Sequence, residues 1–123
     1  MPIKSYRELR IWQRAHELSL RVYRLSEKLP KHEIFALTSQ MRRAAVSVQS
    51  NIAEGFGRHF AKELIQFLYI SRGSIYEVQQ HCLLARDLGY FDKSAADEII
   101  SLYEGLNAGV MSFVNRIKQK DAK

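Results

Sequence analysis

One cysteine, two prolines and six glycines leave this 123-residue chain with few of the devices that staple, kink or loosen a fold. With Cys82 alone no intrachain disulfide can form, which excludes the stapled design of small secreted domains and favours a cytoplasmic location. The prolines, Pro2 and Pro30, both precede residue 31, so nothing beyond that point forbids long helices. Apolar runs are short: Ile34 to Leu37 is among the longest, far below the roughly 20 residues of a bilayer-spanning helix. The opening MPIKSYRELR places charges where a signal peptide would hold its apolar stretch, so neither an export signal nor membrane association is expected. No segment sustains the period-two alternation of a strand.

What is present suits a soluble globular protein. Apolar residues make up 46% of the chain and charged residues 26%, and the length fits one domain spanning residues 1–123. Ser5 followed by Glu8 reads as a capping box opening a first helix over about 5–28, with a stripe of Ile11, Ala15, Leu18, Val22, Leu25 and Leu29. Pro30 ends it. A second helix is predicted over about 33–57 with Leu37, Met41, Ala45, Val48 and Ile52 inside, its end loosened by Gly55 and Gly57. A third carries Leu64, Leu68, Ser71, Ile75, Val78, Cys82 and Ala85 and closes at Gly89 and Tyr90. Asp92 or Ser94 can cap a fourth, with a stripe of Ala95, Ile99, Leu102, Leu106, Gly109 and Phe113. Four amphipathic helices with short connections predict an all-α fold, an antiparallel up-down-up-down four-helix bundle. Gly105 and Gly109, one turn apart, predict a close backbone approach within or between chains. The aromatic residues Trp12, Phe35, Phe67, Tyr69, Tyr76, Tyr103 and Phe113 read as core or interface rather than base-stacking platforms. Tyr69 and Tyr76, off the main stripe, fit a second, intersubunit surface.

Residues 1–58 hold 11 Lys/Arg against 5 Asp/Glu, whereas residues 59–123 hold 8 of each, so the net charge of +6 lies entirely in the first half. Such asymmetry is the footprint of a face that attracts RNA, DNA or another polyanion, although spare cations also serve solubility.

The sequence contains no recognisable catalytic or metal-binding set. His16-Glu17 and His32-Glu33 each begin a zinc-protease pattern, but residues 20 and 36 are Leu and Ala where the second histidine must stand. His81 beside Cys82 has no further ligand at suitable spacing. Glu54-Gly55-Phe56-Gly57-Arg58 lacks both the preceding strand and the Lys-Ser/Thr ending of a phosphate-binding loop. Arg10 and His16 have the separation used by small helical ribonucleases of the HEPN type. At 100° per residue, however, they point about 120° apart on a helix. No enzyme activity, cofactor or metal is therefore expected.

The distinctive stretch is QMRRAAVSVQSNIAEGFGR, residues 40–58. On a helix Gln40, Arg43, Ser47, Asn51, Glu54 and Arg58 share an arc of about 80°, opposite Met41, Ala44, Ala45, Val48 and Ile52. A stripe mixing amides, serine and arginine suits an exposed face, or a polar subunit interface or pore lining. Arg42, Arg43 and Arg58 are the candidates for touching nucleic acid.

Several motifs occur together: Leu9-x-x-Trp12-Gln13-x-Ala15, Leu37-Thr38-Ser39-Gln40-x-Arg42-Arg43-Ala44-Ala45-x-Ser47, Asn51-Ile52-Ala53-Glu54-Gly55 with Arg58, and Gly73-Ser74-x-x-Glu77. Together they resemble the four-helix-bundle protein family encoded in intervening sequences of bacterial large-subunit ribosomal RNA genes. Gln49 departs from the pattern, since relatives commonly carry proline there. The resemblance implies a ring-like homopentamer. It extends to the accessory protein of diversity-generating retroelements, which resembles a basic, barrel-shaped pentamer that contacts nucleic acid and a reverse transcriptase. It marks Trp12, Gln40, Ser47, Asn51, Glu54, Gly55, Gly73 and Glu77 as signature or interface residues and implies no enzymatic activity. The expected function is non-enzymatic binding of RNA or DNA by an oligomer; a protein scaffold is the alternative, and a ribonuclease a weaker one.

Overall fold

The computed structural model of the chain describes residues 2–121, and among these it contains four α-helices and no strand. Helix α1 spans Arg10–Ser26, α2 Leu37–Phe56, α3 Ala61–Asp87 and α4 Lys93–Asp121. Each helix packs against the next, and α1 against α4 closes the bundle around one apolar core.

The first two helices are shorter than their periodicity predicts. Ser5 and Glu8 do form the capping box, but it caps a separate 3-10 turn, Tyr6–Glu8. Leu9 then turns extended (φ −73°, ψ 126°) and buries its side chain, and α1 starts only after it. Likewise a 3-10 turn at Lys31–Glu33 precedes α2, whose helical hydrogen bonding begins beyond Ala36. Gly89 adopts φ +81° after α3, letting Tyr90 N–H reach the Ala85 carbonyl (2.9 Å), as a left-handed glycine terminator does.

The core stripes of α2 and α3 fall where predicted: Met41, Ala45, Val48 and Ile52 face Leu68, Ile75, Val78, Cys82 and Ala85, all buried. In α1, Ala15, Leu18 and Val22 are buried while Ile11 and Leu25 lie at the core's edge. In α4 the buried residues are Ala96, Ile99, Tyr103, Leu106, Asn107, Val110 and Val114, so Ile99 and Leu106 fall where predicted while Ala96, Tyr103, Val110 and Val114 stand inside in place of Ala95, Leu102, Gly109 and Phe113. Both sets satisfy the 3–4 spacing. The bulkier Tyr103, Val110 and Val114 fill the interior, leaving Ala95, Leu102 and Gly109 facing α1.

The aromatic residues divide three ways. Tyr103 is fully buried, Trp12 and Phe113 pack at the core's edge, and Tyr69 and Tyr76 are exposed. Phe35 is 94% exposed, so within the chain it is not a core residue.

Candidate nucleic-acid interface

The polar stripe of α2 is partly consumed inside the bundle. Ser47 Oγ lies 2.8 Å from Ser74 Oγ on α3, and Asn51 Nδ2 donates to the Ser47 carbonyl (2.8 Å) and hydroxyl (3.0 Å). One turn away, the Ser71 hydroxyl donates to the Val48 carbonyl. The Ser47–Ser74 and Ser71–Val48 bonds tie a seam of small residues, so Ser47 serves α2–α3 contact rather than an open face, while Asn51 bonds back within α2. Gly55 completes the seam: it is buried within α2 and meets Leu64 and Phe67, instead of loosening the helix end, which falls at Gly57.

Of the three candidate arginines, two are engaged within the chain. Arg42 Nε donates to Ser26 Oγ (2.8 Å) and its guanidinium stands 5.0 Å above the Tyr23 ring, stapling α2 to α1. Arg58 pairs with Glu54 (3.0 Å) and covers the Phe67 ring at 4.7 Å. Arg43 is exposed and has no side-chain partner among the described residues, and Gln40 is exposed beside it.

Trp12 anchors the α1–α2 seam. Its indole stacks on His16 (5.0 Å, 9°), while Tyr6 meets it edge-on at 5.1 Å. His16 Nδ1 is 3.0 Å from Gln49 Nε2, and the Ser19 hydroxyl is 2.7 Å from Gln49 Oε1. Helix α2 runs unbroken through Gln49, whose amide bridges the two helices where a proline would have no such side chain. Arg10 instead lines the groove on the far side of α1, so Arg10 and His16 do not converge as a ribonuclease pair would require.

Gly73 and Glu77 lie on the exposed outer face of α3. Glu77 reaches only to 4.0 Å from His81 Nε2, which is buried without a hydrogen-bond partner. Burial lowers the His81 pKa, and Glu77 offsets this in part. Burial likewise pushes the Cys82 thiol up to about 12, the opposite of a nucleophile's shift. Among the described residues no three His, Cys, Asp or Glu side chains are grouped to hold a metal ion, and no helix is long and apolar enough to cross a membrane.

A row of cations lies elsewhere, on α1. At 100° per residue Arg10, Arg14, Arg21 and Arg24 share an arc of about 80°, and Lys28 continues the row past the helix end. They border two grooves between α1 and α4: one of about 570 Å³ takes in Arg10 and Arg14, and one of about 220 Å³ takes in Arg21, Arg24 and Lys28. Gly105 keeps the first groove open, with nothing within 4 Å of where a Cβ would stand. Gly109 makes only an ordinary 3.6 Å approach to Ile11. The close contact predicted at these glycines is therefore absent within the chain. The spacing of 4, 7, 3 and 4 residues along this row is present in the sequence, but no two of its cations are adjacent, unlike Arg42 and Arg43.

A family model described as "23S rRNA-intervening sequence protein" matches residues 7–111. The chain belongs to the 23S rRNA-intervening sequence protein family. A crystal structure from Bacteroides thetaiotaomicron, of a protein with unknown function from the S23 ribosomal protein family, is similar with a TM-score of 0.78. The identity is 19%, over 85% of this chain and 97% of that one, so the likeness is one of fold. Comparison with curated proteins finds no match. In this member of the 23S rRNA-intervening sequence protein family, the signature block Asn51 to Gly55 therefore sits mainly at the α2–α3 seam. Its basic row is on α1.

Proposed function

We propose that this protein is a non-enzymatic, oligomeric four-helix bundle that binds RNA or DNA through the basic face of α1. The row from Arg10 to Lys28 carries the reading, because it sets five cations along one side of one helix. Arg43 adds a free cation on α2. The bundle acts as a single domain with its helices alternating up and down. Partners Ser47–Ser74 and Val48–Ser71 on α2 and α3, and Gln79–Ile100 and Tyr69–Lys118 on α3 and α4, support this, since one number rises as the other falls.

Self-assembly is supported by the outer face of α3, where Tyr69, Ile70, Tyr76 and Leu84 are each at least 39% exposed. As a homopentamer, five copies of +6 would total about +30 and bind phosphates with strong salt dependence. The same apolar face supports the second reading, a scaffold that docks another protein.

Fluorescence anisotropy with labelled structured RNA and duplex DNA at low salt, beside light scattering, tests the proposal. Binding by an oligomer supports it. An absence of binding at low salt leaves the scaffold reading.

A further inference from the structure

Building on the nucleic-acid binding proposed above, we infer that the α1–α4 groove takes one phosphate strand of a double helix, with Arg14 and Arg21 exchanging their carboxylate partners Glu17 and Glu98 for phosphates.

The five cations of the row are not equivalent. Arg10, Arg24 and Lys28 have no carboxylate partner among the described residues. Arg14 pairs with Glu17 at 3.2 Å, and Arg21 reaches across the groove to Glu98 on α4. Both pairs are solvent-exposed, with arginine side chains 46% accessible, and pairs of that kind add little to stability. They do hold the two guanidiniums along the groove. A phosphate can take over such an arginine at small cost and accepts its paired N–H donors in the same forked geometry.

At 1.5 Å per residue Arg14 and Arg21 stand about 10 Å apart along the axis, and Arg10 to Arg24 covers about 21 Å, a length over which a duplex carries about twelve phosphate charges. Single-strand grooves add aromatic side chains on which bases stack. The residues lining these two grooves include no aromatic. The Tyr23 ring, on the same helix, is instead taken by Arg42. Glu17 and Glu98 also act as a threshold, because a polyanion must outcompete two carboxylates to enter. A duplex, with one charge per 1.7 Å of axis, is best able to do so.

The test compares binding of a duplex of about 20 base pairs with an unstructured oligo(dT) of equal length, at about 50 mM salt, for the unaltered protein and a Glu17→Gln/Glu98→Gln variant. The expected result is duplex binding about tenfold or more tighter than oligo(dT). The variant should bind duplex several-fold tighter still, with its salt slope unchanged, since the same cations meet phosphate in both proteins. Equal or tighter oligo(dT) binding overturns the duplex assignment while nucleic-acid binding stands. Duplex affinity unchanged by the double substitution, or a salt slope steeper by about two, overturns the carboxylate exchange. Binding of neither probe by either protein overturns the nucleic-acid reading itself. Circular dichroism of the variant checks that the near-isosteric changes leave the helices intact.

Discussion

The Cβ that Gly55 lacks would stand 2.9 Å from the Cβ of Phe67, with the Leu64 carbonyl oxygen 3.3 Å away on the same helix. Helices α2 and α3 thus meet at near-backbone distance at the end of the Asn51–Gly55 block. A methyl group there forces the helices apart. Gly55→Ala should lower unfolding free energy by about 1–3 kcal/mol despite its better helix propensity. Gly73, with nothing within 4 Å, gives the opposite case: Gly73→Ala should stabilise the folded chain by up to about 1 kcal/mol. Urea denaturation of the two variants checks both signs.

Arg42 and Arg43 are adjacent but should separate cleanly. Arg42→Ala removes the bond to Ser26 and the cover on Tyr23, and should cost about 1–2 kcal/mol of stability. Arg43→Ala should change stability by less than about 0.5 kcal/mol and weaken nucleic-acid binding modestly. Thermal melts and anisotropy on the same samples distinguish the two roles.

Alkaline pH should expose the burial of Cys82. Unfolded, the thiol ionises near 9.0; folded, it holds its proton to about 12. Between those values the unfolded state binds fewer protons, so stability falls as pH rises, by at most about 1.4 kcal/mol per unit from this group. Cys82→Ala should flatten the fall just above pH 9. Tyr103, whose phenol burial also raises, leaves a residual slope above its ordinary value of 10.0. Urea titrations at stepped pH measure it.

His81 acts at the other end of the scale. Burial lowers its folded pKa below 6.5, so below that pH the unfolded state takes up a proton the native state resists. Stability should decline as pH falls through this range and level off below the folded pKa. His81→Gln should remove that part of the decline in the same titrations.

The helices were legible because their apolar residues repeat every three or four positions, a signal of length and period that tertiary packing rarely overrides. The N-terminal ends of α1 and α2 were not, whereas α4 starts at Lys93, directly after the predicted cap Asp92. At Leu9 the side chain gains more from burial in an extended turn than from continuing the helix, and a capping box does not reveal which kind of turn it caps. In α4 two interleaved stripes fit the same period, and only volume, with Tyr103 and Val114 against Ala95 and Gly109, decides which faces inward. The site was legible in part. Arg43 and the family block could be read directly. That Ser47 and Arg42 bond to neighbouring helices depends on Ser74 and Ser26, which are distant in the chain and unremarkable by themselves. The basic row of α1 is spread over 19 positions, so its charge density emerges only once the helix stacks those residues on one side.

The most direct measurement of the central claim is the salt dependence of duplex binding before and after the row is neutralised. With Arg10, Arg14, Arg21 and Arg24 all changed to Gln, the slope of log Kobs against log salt should become shallower by about 3–4. Affinity at about 50 mM salt should fall at least a hundredfold, with the helical content and oligomer mass unchanged. An affinity and slope equal to those of the unaltered protein would contradict the account and move any nucleic-acid contact off α1.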